Sequence, residues 1–416
     1  MKVIQNVGNG TIKMKDKSNN NQKVRNWLNK NVVAMGFTSL FSDASHEMTT
    51  AALPSFLTEL VGTTSAPQLL GLISGFSDAS SSFVKTFSGW LSDRLRKRKP
   101  LVVLGYLLTG LFVGIIGFAR NWIEILIYRV LAWMGRGTRE PPRDALLADS
   151  VESKFYGHAF GFHRAMDTLG AIIGPLLAFF LISSVNLRDI FFLSIIPGSL
   201  AVLIIAIGVK EEARKLQEQK GLLWHMKSLP KDFKVFLFIM FVFGIANFNR
   251  TLLLLRAQEV LAPVNGIILA ASLSILLYTI RNIAQAFADY GVGALSDKVS
   301  RKWLLAFFGF FLFGATSLGF VFVTADIYSF ILLFALSGIS AAAYTALEKA
   351  YAADLLPSSM RGTGYGVLQT VDGIGDFLSS FVVGTIWVLI SPEFSFVYAA
   401  FLSFISTLLL LGLMKK

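Results

Sequence analysis

Gly89-Trp90-Leu91-Ser92-Asp93-Arg94 returns 204 residues later in the chain as Gly293-Ala294-Leu295-Ser296-Asp297-Lys298. Each copy is followed by a basic cluster, Arg96 to Lys99 in the first copy and Arg301-Lys302 in the second. After a one-residue gap, an offset of 205 aligns further pairs: Ala148 with Ala353, Asp149 with Asp354, Gly157 with Gly362, Gly161 with Gly366, Asp167 with Asp372, and Gly170 with Gly375. A repeat of half the chain length indicates two homologous halves, and in a membrane protein such halves place the substrate path at their interface.

The composition indicates a membrane protein made of helices. Apolar residues make up 54% of the 416 residues, charged residues make up 15%, and the mean hydropathy is +0.61, which excludes an ordinary soluble protein. Crossing about 30 Å of hydrocarbon takes roughly 20 apolar residues in a helix, or about 10 alternating residues in a β-strand. The apolar runs have the helical length, so we predict an all-α membrane protein. The chain has no cysteine, which excludes disulfides and thiolate metal sites.

The apolar runs predict twelve transmembrane helices, called spans 1 to 12 below. In chain order they lie near residues 31–59, 68–91, 100–119, 122–147, 156–184, 188–209, 233–260, 266–295, 302–323, 326–354, 363–389 and 395–414. Six spans fall in each half, so we predict two pseudosymmetric six-helix bundles. The predicted divisions are an N-terminal tail over 1–30, a first bundle over 31–209, a central loop over 210–232 and a second bundle over 233–416.

The positions of Lys and Arg predict the orientation in the membrane. The connections after spans 2, 4, 6, 8 and 10 hold most of the loop Lys and Arg, whereas four connections on the opposite side contain only Arg120. By the positive-inside rule, both termini and the central loop are predicted to be cytoplasmic, in a bacterial inner membrane. The net charge of +12 then reflects the Lys and Arg of the cytoplasmic loops, which attract anionic membrane lipid, and no nucleic-acid partner is predicted.

The repeated stretch resembles motif A of the major facilitator superfamily, and the resemblance extends over nearly the whole chain. The motif positions are Gly89, Asp93, Arg94 and Arg98 in the first copy and Asp297 and Arg301 in the second, while Arg96 and Ser300 stand where the motif has its second glycine. The resemblance implies the major facilitator fold and a cytoplasmic latch that closes in one state and parts in the other. The alternative interpretation is that the basic residues only anchor the topology.

A second resemblance lies in span 5. Gly170, Gly174 and Pro175 are similar to motif C of proton-driven antiporters, although Ala178 and Phe179 replace the paired glycines that usually follow. This similarity favours export in exchange for protons.

Charged side chains at bilayer depth supply the candidate coupling residues. On insertion scales such a charge costs about 2.5–3.5 kcal/mol, so each needs a partner, a water-filled cavity or a function. Span 1 carries Asp43, His46 and Glu47 on one face, and spans 5 and 11 carry the duplicated Asp167 and Asp372. Burial disfavours the charged form of a carboxylate, which is the property that proton coupling requires. We predict the four acids as proton-coupling candidates; each could instead be a permanently paired structural acid.

A substrate cavity is predicted where the other polar residues converge. Its candidates are His46, Arg129, Arg139, His163, Arg250, Arg281, Tyr344 and Glu348. Arginines favour an anionic substrate because guanidinium binds carboxylate or phosphate through two hydrogen bonds, while the histidines could equally be neutral core residues. The spacings Gly157 to Gly161 and Gly362 to Gly366 predict close contacts between helices.

These observations predict a secondary active transporter that moves a small organic solute by alternating access, coupled to H⁺ and working as an exporter. Uptake of an organic anion or metal chelate is the alternative within the same class. A transporter-like receptor or membrane enzyme is disfavoured because no His-Glu-x-x-His motif and no extra domain is found. We predict a monomer with no catalytic residues, no metal site and no cofactor other than the coupling proton, whose partners are its small-molecule substrate and membrane lipid.

Overall fold

The computed structural model describes residues 27–94, 97–152, 155–211, 229–296, 299–357 and 361–413, and in these ranges it is helical with no β-strand. The α-helices are Lys30–Arg94, Lys99–Ile115, Trp122–Asp149, Tyr156–Leu181, Leu187–Gly208, Lys231–Gly244, Thr251–Asn265, Ile267–Ser296, Arg301–Leu304, Leu312–Phe322, Ile327–Leu355, Arg361–Leu389 and Pro392–Leu413. A 3-10 turn, Ile116–Phe118, ends span 3, and a π-helical segment, Leu305–Phe311, lies inside span 9. The helices follow the twelve predicted spans. The predicted tail and central loop fall largely outside the described residues.

Eight helices of the described chain are long and apolar enough to cross a membrane, namely those of spans 3, 5, 6 and 8 to 12. Spans 1, 2 and 4 do not meet this combined test of length, hydropathy and charge, and span 7 is divided into helices of 14 and 15 residues by its interruption between Gly244 and Thr251.

Two duplicated glycines make the turns between spans 1 and 2 and between spans 7 and 8. Gly62 and Gly266 both have φ of 78°, a left-handed backbone that favours glycine because it lacks a Cβ. Spans 1 and 2 follow one another directly within Lys30–Arg94, and the non-helical backbone of Gly62 separates them. We call this end of the molecule the turn end. The opposite end, with Arg98, Lys99, Arg301 and Lys302, is the basic end.

The apolar core joins the two halves at the turn end only. One cluster of buried side chains there includes Phe56 and Leu70 of the first half together with Leu254 and Tyr278 of the second. At the basic end, the buried apolar residues of the described chain form a separate cluster in each half. The halves are therefore packed together at the turn end and apart at the basic end, which leaves the space between them open toward the basic end.

Candidate functional site

A cavity of about 380 Å³ lies between the two halves. Its wall contains six of the predicted site residues, and these are Arg129, Arg250, Arg281, Tyr344, Glu348 and Asp372. Five further charged residues on the wall, which were not among the predicted site residues, are Asp78, Lys85, Arg136, Lys349 and Asp376. Both halves contribute cations and acids, so the cavity is polar and carries charges of both signs.

His46, Arg139 and His163 are not on the cavity wall, so their prediction as cavity residues was wrong. All three are buried inside the first half, between spans 1, 4 and 5. Arg139 donates to Ser42 and stacks on the ring of Tyr106, with 4.1 Å from its Cζ to the ring centroid. Helical spacing places residues on a common face, but it does not tell whether that face points at the cavity or at a neighbouring helix.

The buried cluster in the first half brings two of the predicted acids together. Asp43 Oδ1 lies 3.4 Å from His46 Nδ1 and 3.8 Å from Arg139 Nη2. Asp167 Oδ1 accepts a hydrogen bond of 2.6 Å from the hydroxyl of Ser39, and its carboxyl group is also within hydrogen-bond reach of Asp43. Two carboxyl groups in contact are best accommodated when they share a proton, because two adjacent negative charges repel.

Glu47 connects the two halves. Its Oε1 accepts from Arg250 Nη2 at 2.6 Å, and its Oε2 accepts from the hydroxyl of Tyr278 at 2.6 Å. His46 Nε2 lies 3.1 Å from the same carboxylate. Arg250 lines the cavity, and Tyr278 belongs to the shared core of the turn end. The Glu47–Arg250 pair therefore holds the halves together between the cavity and the turn end.

The interruption in span 7 was not predicted from the sequence. The span was expected to be one helix, but the chain leaves helical geometry between Gly244 and Thr251 and exposes peptide groups at membrane depth. These find partners nearby: Ser379 donates to the carbonyl of Asn247 at 3.0 Å, and the N–H of Asn249 donates to Ser380 at 3.1 Å. Irregular backbone at this depth is tolerated where it is buried or lines a cavity, and in transporters it marks binding sites. The polar run from Asn247 to Arg250 was the available signal.

The second half presents its acids directly to the cavity. The hydroxyl of Tyr344 donates to Asp372 Oδ1 at 3.2 Å, and Glu348 lies within hydrogen-bond reach of Asp372. Asp376 is one helical turn further along span 11 and also lines the cavity. The part of the wall formed by spans 10 and 11 therefore carries three acids and one cation, Lys349.

An equivalent arginine–aspartate pair lies at the basic end of each half. Arg98 Nη1 lies 2.6 Å from Asp149 Oδ2, and Arg301 Nη1 lies 2.6 Å from Asp354 Oδ1. These pairs tie the connection after span 2 to the end of span 4, and the connection after span 8 to the end of span 10. The other predicted latch residues cannot be placed in the same way. Asp297 and the side chains of Asp93 and Arg94 lie outside the described residues. A Cβ added to Gly89 would lie 3.5 Å from the Cβ of Pro141, which is an ordinary van der Waals contact.

The comparisons with known proteins agree with this geometry. The sequence profile of the Major Facilitator Superfamily matches residues 35–261 and 235–416, which together cover both halves. The chain belongs to the Major Facilitator Superfamily. It is therefore a transporter of the secondary active class, a multi-pass membrane protein and not an enzyme.

Relatives within the superfamily cover most of the chain. An uncharacterized MFS-type transporter of Methanocaldococcus jannaschii is 37% identical over 394 residues, which is 94% of this chain and 96% of that protein. The multidrug resistance protein MdtG of Escherichia coli is 22% identical over 289 residues, covering 67% of this chain and 69% of MdtG.

Solved structures of the superfamily share the fold. A bacterial homolog of the human lysosomal transporter Spinster, in an inward-facing and occupied conformation, has a TM-score of 0.72 at 16% identity and covers 91% of this chain and 95% of its own. The nucleoside transporter NupG has a TM-score of 0.76 at 11% identity, covering 92% of this chain and 100% of its own. At these identities the likeness concerns the fold alone.

The superfamily's motif C packs span 5 against the acid-bearing face of span 1. A Cβ on Gly170 would lie 3.0 Å from the Cβ of Asp43, and a Cβ on Gly174 would lie 3.1 Å from that of Glu47. Pro175 continues the same helix. The glycines thus let span 5 approach the two predicted coupling acids of span 1 directly.

Two other duplicated glycines do not make the close contacts that were predicted. A Cβ added to Gly161 or to Gly366 would have no atom of the described chain within 4 Å. Gly161 is one turn from Arg164, which lies 3.7 Å from Asp289 of span 8, and Gly366 is one turn from Gln369 of the cavity wall. Neither glycine therefore packs on a neighbouring helix of the described chain, and each lies one turn from a residue at the boundary between the halves.

Proposed function

We propose that this protein is a proton-coupled transporter that exports a small polar organic solute by alternating access across the cytoplasmic membrane, with both termini in the cytoplasm. The observation that carries the proposal is a carboxyl pair in each half. Asp167, which accepts a hydrogen bond from Ser39, lies within hydrogen-bond reach of Asp43 in the first half, and its duplicate Asp372, which accepts from Tyr344, lies within reach of Glu348 in the second. Each pair is a place where a proton can be held or released at bilayer depth.

The paired acids have neighbours through which protonation can act on the conformation. Asp43 shares its surroundings with His46, which also contacts the Glu47–Arg250 pair between the halves. A proton gained or lost at Asp43 and Asp167 changes the charge beside His46 and so alters the balance of that inter-half pair. A bound proton shifts the equilibrium between two conformations by the difference between its interaction energies in the two. One or two such ion pairs in a poorly solvated site are sufficient for that shift.

The direction of transport is inferred from span 5. The motif C glycines, typical of antiporters, lie against the acids of span 1, and the relative MdtG is named a multidrug resistance protein. Uptake of an organic anion or a metal chelate is the second candidate, favoured by the cations Arg129, Arg250 and Arg281 on the cavity wall.

Proton coupling can be tested without a known substrate, because the chain has no cysteine and spin labels can therefore be attached only at introduced positions. Spin labels introduced at Lys97 and Ser300, both exposed at the basic end, report the distance between the halves there. In the wild-type background we expect the distance distribution to change between pH 5 and pH 8 in nanodiscs, and we expect Asp167→Asn and Asp372→Asn to reduce that change. The pH values bracket the range over which buried carboxyl groups titrate in transporters.

The matched control is Asp232→Asn, which neutralises an acid exposed at the start of span 7. It should leave the pH response intact. A distance distribution that ignores pH in the wild-type protein, or responds equally in all three variants, would remove the support for proton coupling.

A further inference from the structure

Two buried side chains on the cavity wall, one basic and one acidic, each carry polar atoms that have no hydrogen-bond partner in the described chain. Arg129 is 1% exposed, and its Nε and Nη1 have no hydrogen-bond partner among the described residues. Glu348 is 4% exposed, and its Oε1 is likewise without a partner in the described part of the chain. Both residues line the same cavity, Arg129 from the first half and Glu348 from the second. Buried charged groups are normally hydrogen-bonded, because desolvating them without a partner is costly.

The surroundings of Arg129 leave its edge free for an anion. The guanidinium lies over the ring of Trp133, 4.1 Å from the centroid, which covers one face, while its Nε and Nη1 have no acceptor in the described chain. Asp78 also lines the cavity, and each of its oxygens already accepts one hydrogen bond. Oδ1 accepts from Trp133 Nε1 at 2.8 Å and Oδ2 accepts from Asn249 Nδ2 at 2.7 Å. A carboxylate or phosphate would satisfy the free edge in the geometry that guanidinium prefers.

The surroundings of Glu348 favour a cation. Asp372 and Asp376 lie on the same wall, and together with Glu348 they outnumber the one cation of spans 10 and 11 on that wall, Lys349. The facing cation Lys85 is already bound, with its Nζ 2.7 Å from Glu140. Arg281 is held by the side-chain oxygens of Gln285 and Asn282 at 3.0 and 3.2 Å. An ammonium group offers three donors, which matches a wall of acceptors.

We infer that the solute is a small organic zwitterion whose carboxylate or phosphate binds Arg129 and whose ammonium group binds Glu348 with Asp372 and Asp376. This inference rests on the proposed function, since it names the substrate class of the same cavity. A molecule of this kind bridges the two halves, because its anionic end is held by span 4 and its cationic end by spans 10 and 11.

The test is a series of ω-aminocarboxylic acids that measures the gap between the two ends. Straight-chain members with about three to eight carbons are added to the purified full-length protein, and binding is followed by thermal unfolding with tryptophan fluorescence and by equilibrium dialysis. We expect one chain length to bind best. The matched n-alkylamine and n-alkyl carboxylate should each bind about tenfold or more weakly, the loss expected for removing one charge-assisted contact. An ω-aminoalkyl phosphonate of equal length decides whether the anionic subsite takes carboxylate or phosphate.

Two variants assign the ends of the ligand. In Arg129→Gln the aminocarboxylate should bind no better than the alkylamine, and in Glu348→Gln it should bind no better than the alkyl carboxylate. Arg129→Lys, which keeps the charge, should retain part of the preference for the anionic end and guards against a folding defect in Arg129→Gln. Arg120→Gln and Glu59→Gln, exposed at the turn end, are the controls and should bind as the wild type does.

Three outcomes would overturn the inference: no member of the series binding at about 10 mM, the singly charged analogues binding as well as the zwitterion, or the two variants losing the same end of the ligand. Affinity at about 10 mM is already too weak for a transported solute at ordinary concentrations. The assay applies no pH gradient, so zwitterion binding stands even if proton coupling fails. Conversely, a pH response of the spin labels without zwitterion binding leaves the proposed function standing and removes only this substrate class.

Discussion

The two halves of the molecule keep the same acid at the duplicated position but use it in different surroundings. Asp167 of the first half lies beside Ser39 and Asp43 and 3.9 Å from Arg164, off the cavity wall but with 23% of its side chain exposed. Asp372 of the second half lies on the wall itself, beside Tyr344 and Glu348. A duplicated fold therefore preserves the position of a side chain without preserving its role. We interpret the first acid as part of the coupling between halves and the second as part of the solute site.

The largest effect in this comparison is expected from the pair that joins the halves. Glu47→Gln leaves Arg250 without its buried carboxylate and should cost about 2–5 kcal/mol of the interaction between halves. We expect a lower melting temperature by tryptophan fluorescence and a longer distance between spin labels at Arg120 and Ala325, which are exposed at the turn end. Glu59→Gln, an exposed acid on the same span, should change neither. An unchanged turn-end distance in Glu47→Gln would show that the pair does not hold this end closed.

Packing of span 5 on span 1 gives the second prediction. Gly170→Ala places a Cβ 3.0 Å from Asp43 Cβ and against backbone of span 1, so we expect a loss of about 1–3 kcal/mol in stability. A Cβ added to its duplicate Gly375 would lie 2.7 Å from the Cα of Gly244, and Gly375→Ala should therefore cost a similar amount. Gly161→Ala is the control because it meets open space. Equal melting temperatures for Gly170→Ala and Gly161→Ala would contradict the packing argument.

Substitutions of the two duplicated acids, Asp167 and Asp372, should change different measured quantities. Asp372→Asn should weaken binding of the best aminocarboxylate about tenfold, because it removes one charge from the acidic wall. Asp167→Asn should leave that affinity within about twofold, because it has no contact with the cavity, while still reducing the pH response of the basic-end spin labels. Equilibrium dialysis measures the first effect and spin-label distances the second. If both variants weakened binding equally, the division of roles between the halves would be wrong.

The smallest effects are expected at the basic end. Arg301→Ala should cost about 0.2–1 kcal/mol, because Arg301 and Asp354 are both substantially exposed. Arg98→Ala should cost more, since the side chain of Arg98 is 8% exposed and its removal also takes away buried packing of the arginine stem. Thermal unfolding of the two variants side by side measures the difference. A larger loss in Arg301→Ala would reverse the ranking of the two pairs.

The sequence predicted the architecture well because hydropathy and repetition are properties of the chain itself. The offset that aligns Asp167 with Asp372 was sufficient to predict two halves, and apolar run lengths were sufficient to locate twelve spans. The partner of Glu47 could not be predicted in this way, because Arg250 is 203 residues distant and no local pattern connects them. The interruption of span 7 was missed because a short non-helical stretch among apolar residues hardly changes hydropathy.

Some of the predicted site residues line the cavity and others do not, for a related reason. Arg129, Arg250, Arg281, Tyr344 and Glu348 reach the cavity as predicted, whereas His46, Arg139 and His163 turn inward. A helix between two neighbours has more than one buried face, and polar residues occur on each. Only the packing of the spans decides which face meets the solute, and that packing depends on contacts between residues far apart in the chain.

A larger side chain would fit at Gly161 or Gly366, because no atom of the described chain lies within 4 Å of a Cβ added there, and this has a practical consequence. Since the gap between the halves must narrow there when the protein turns to its other orientation, a bulky residue at either glycine would act as a wedge. Gly161→Trp or Gly366→Trp should therefore yield a protein that folds and binds but cannot complete its cycle. Such an arrested form would be well suited to capturing the solute from cell extract and identifying it by mass spectrometry.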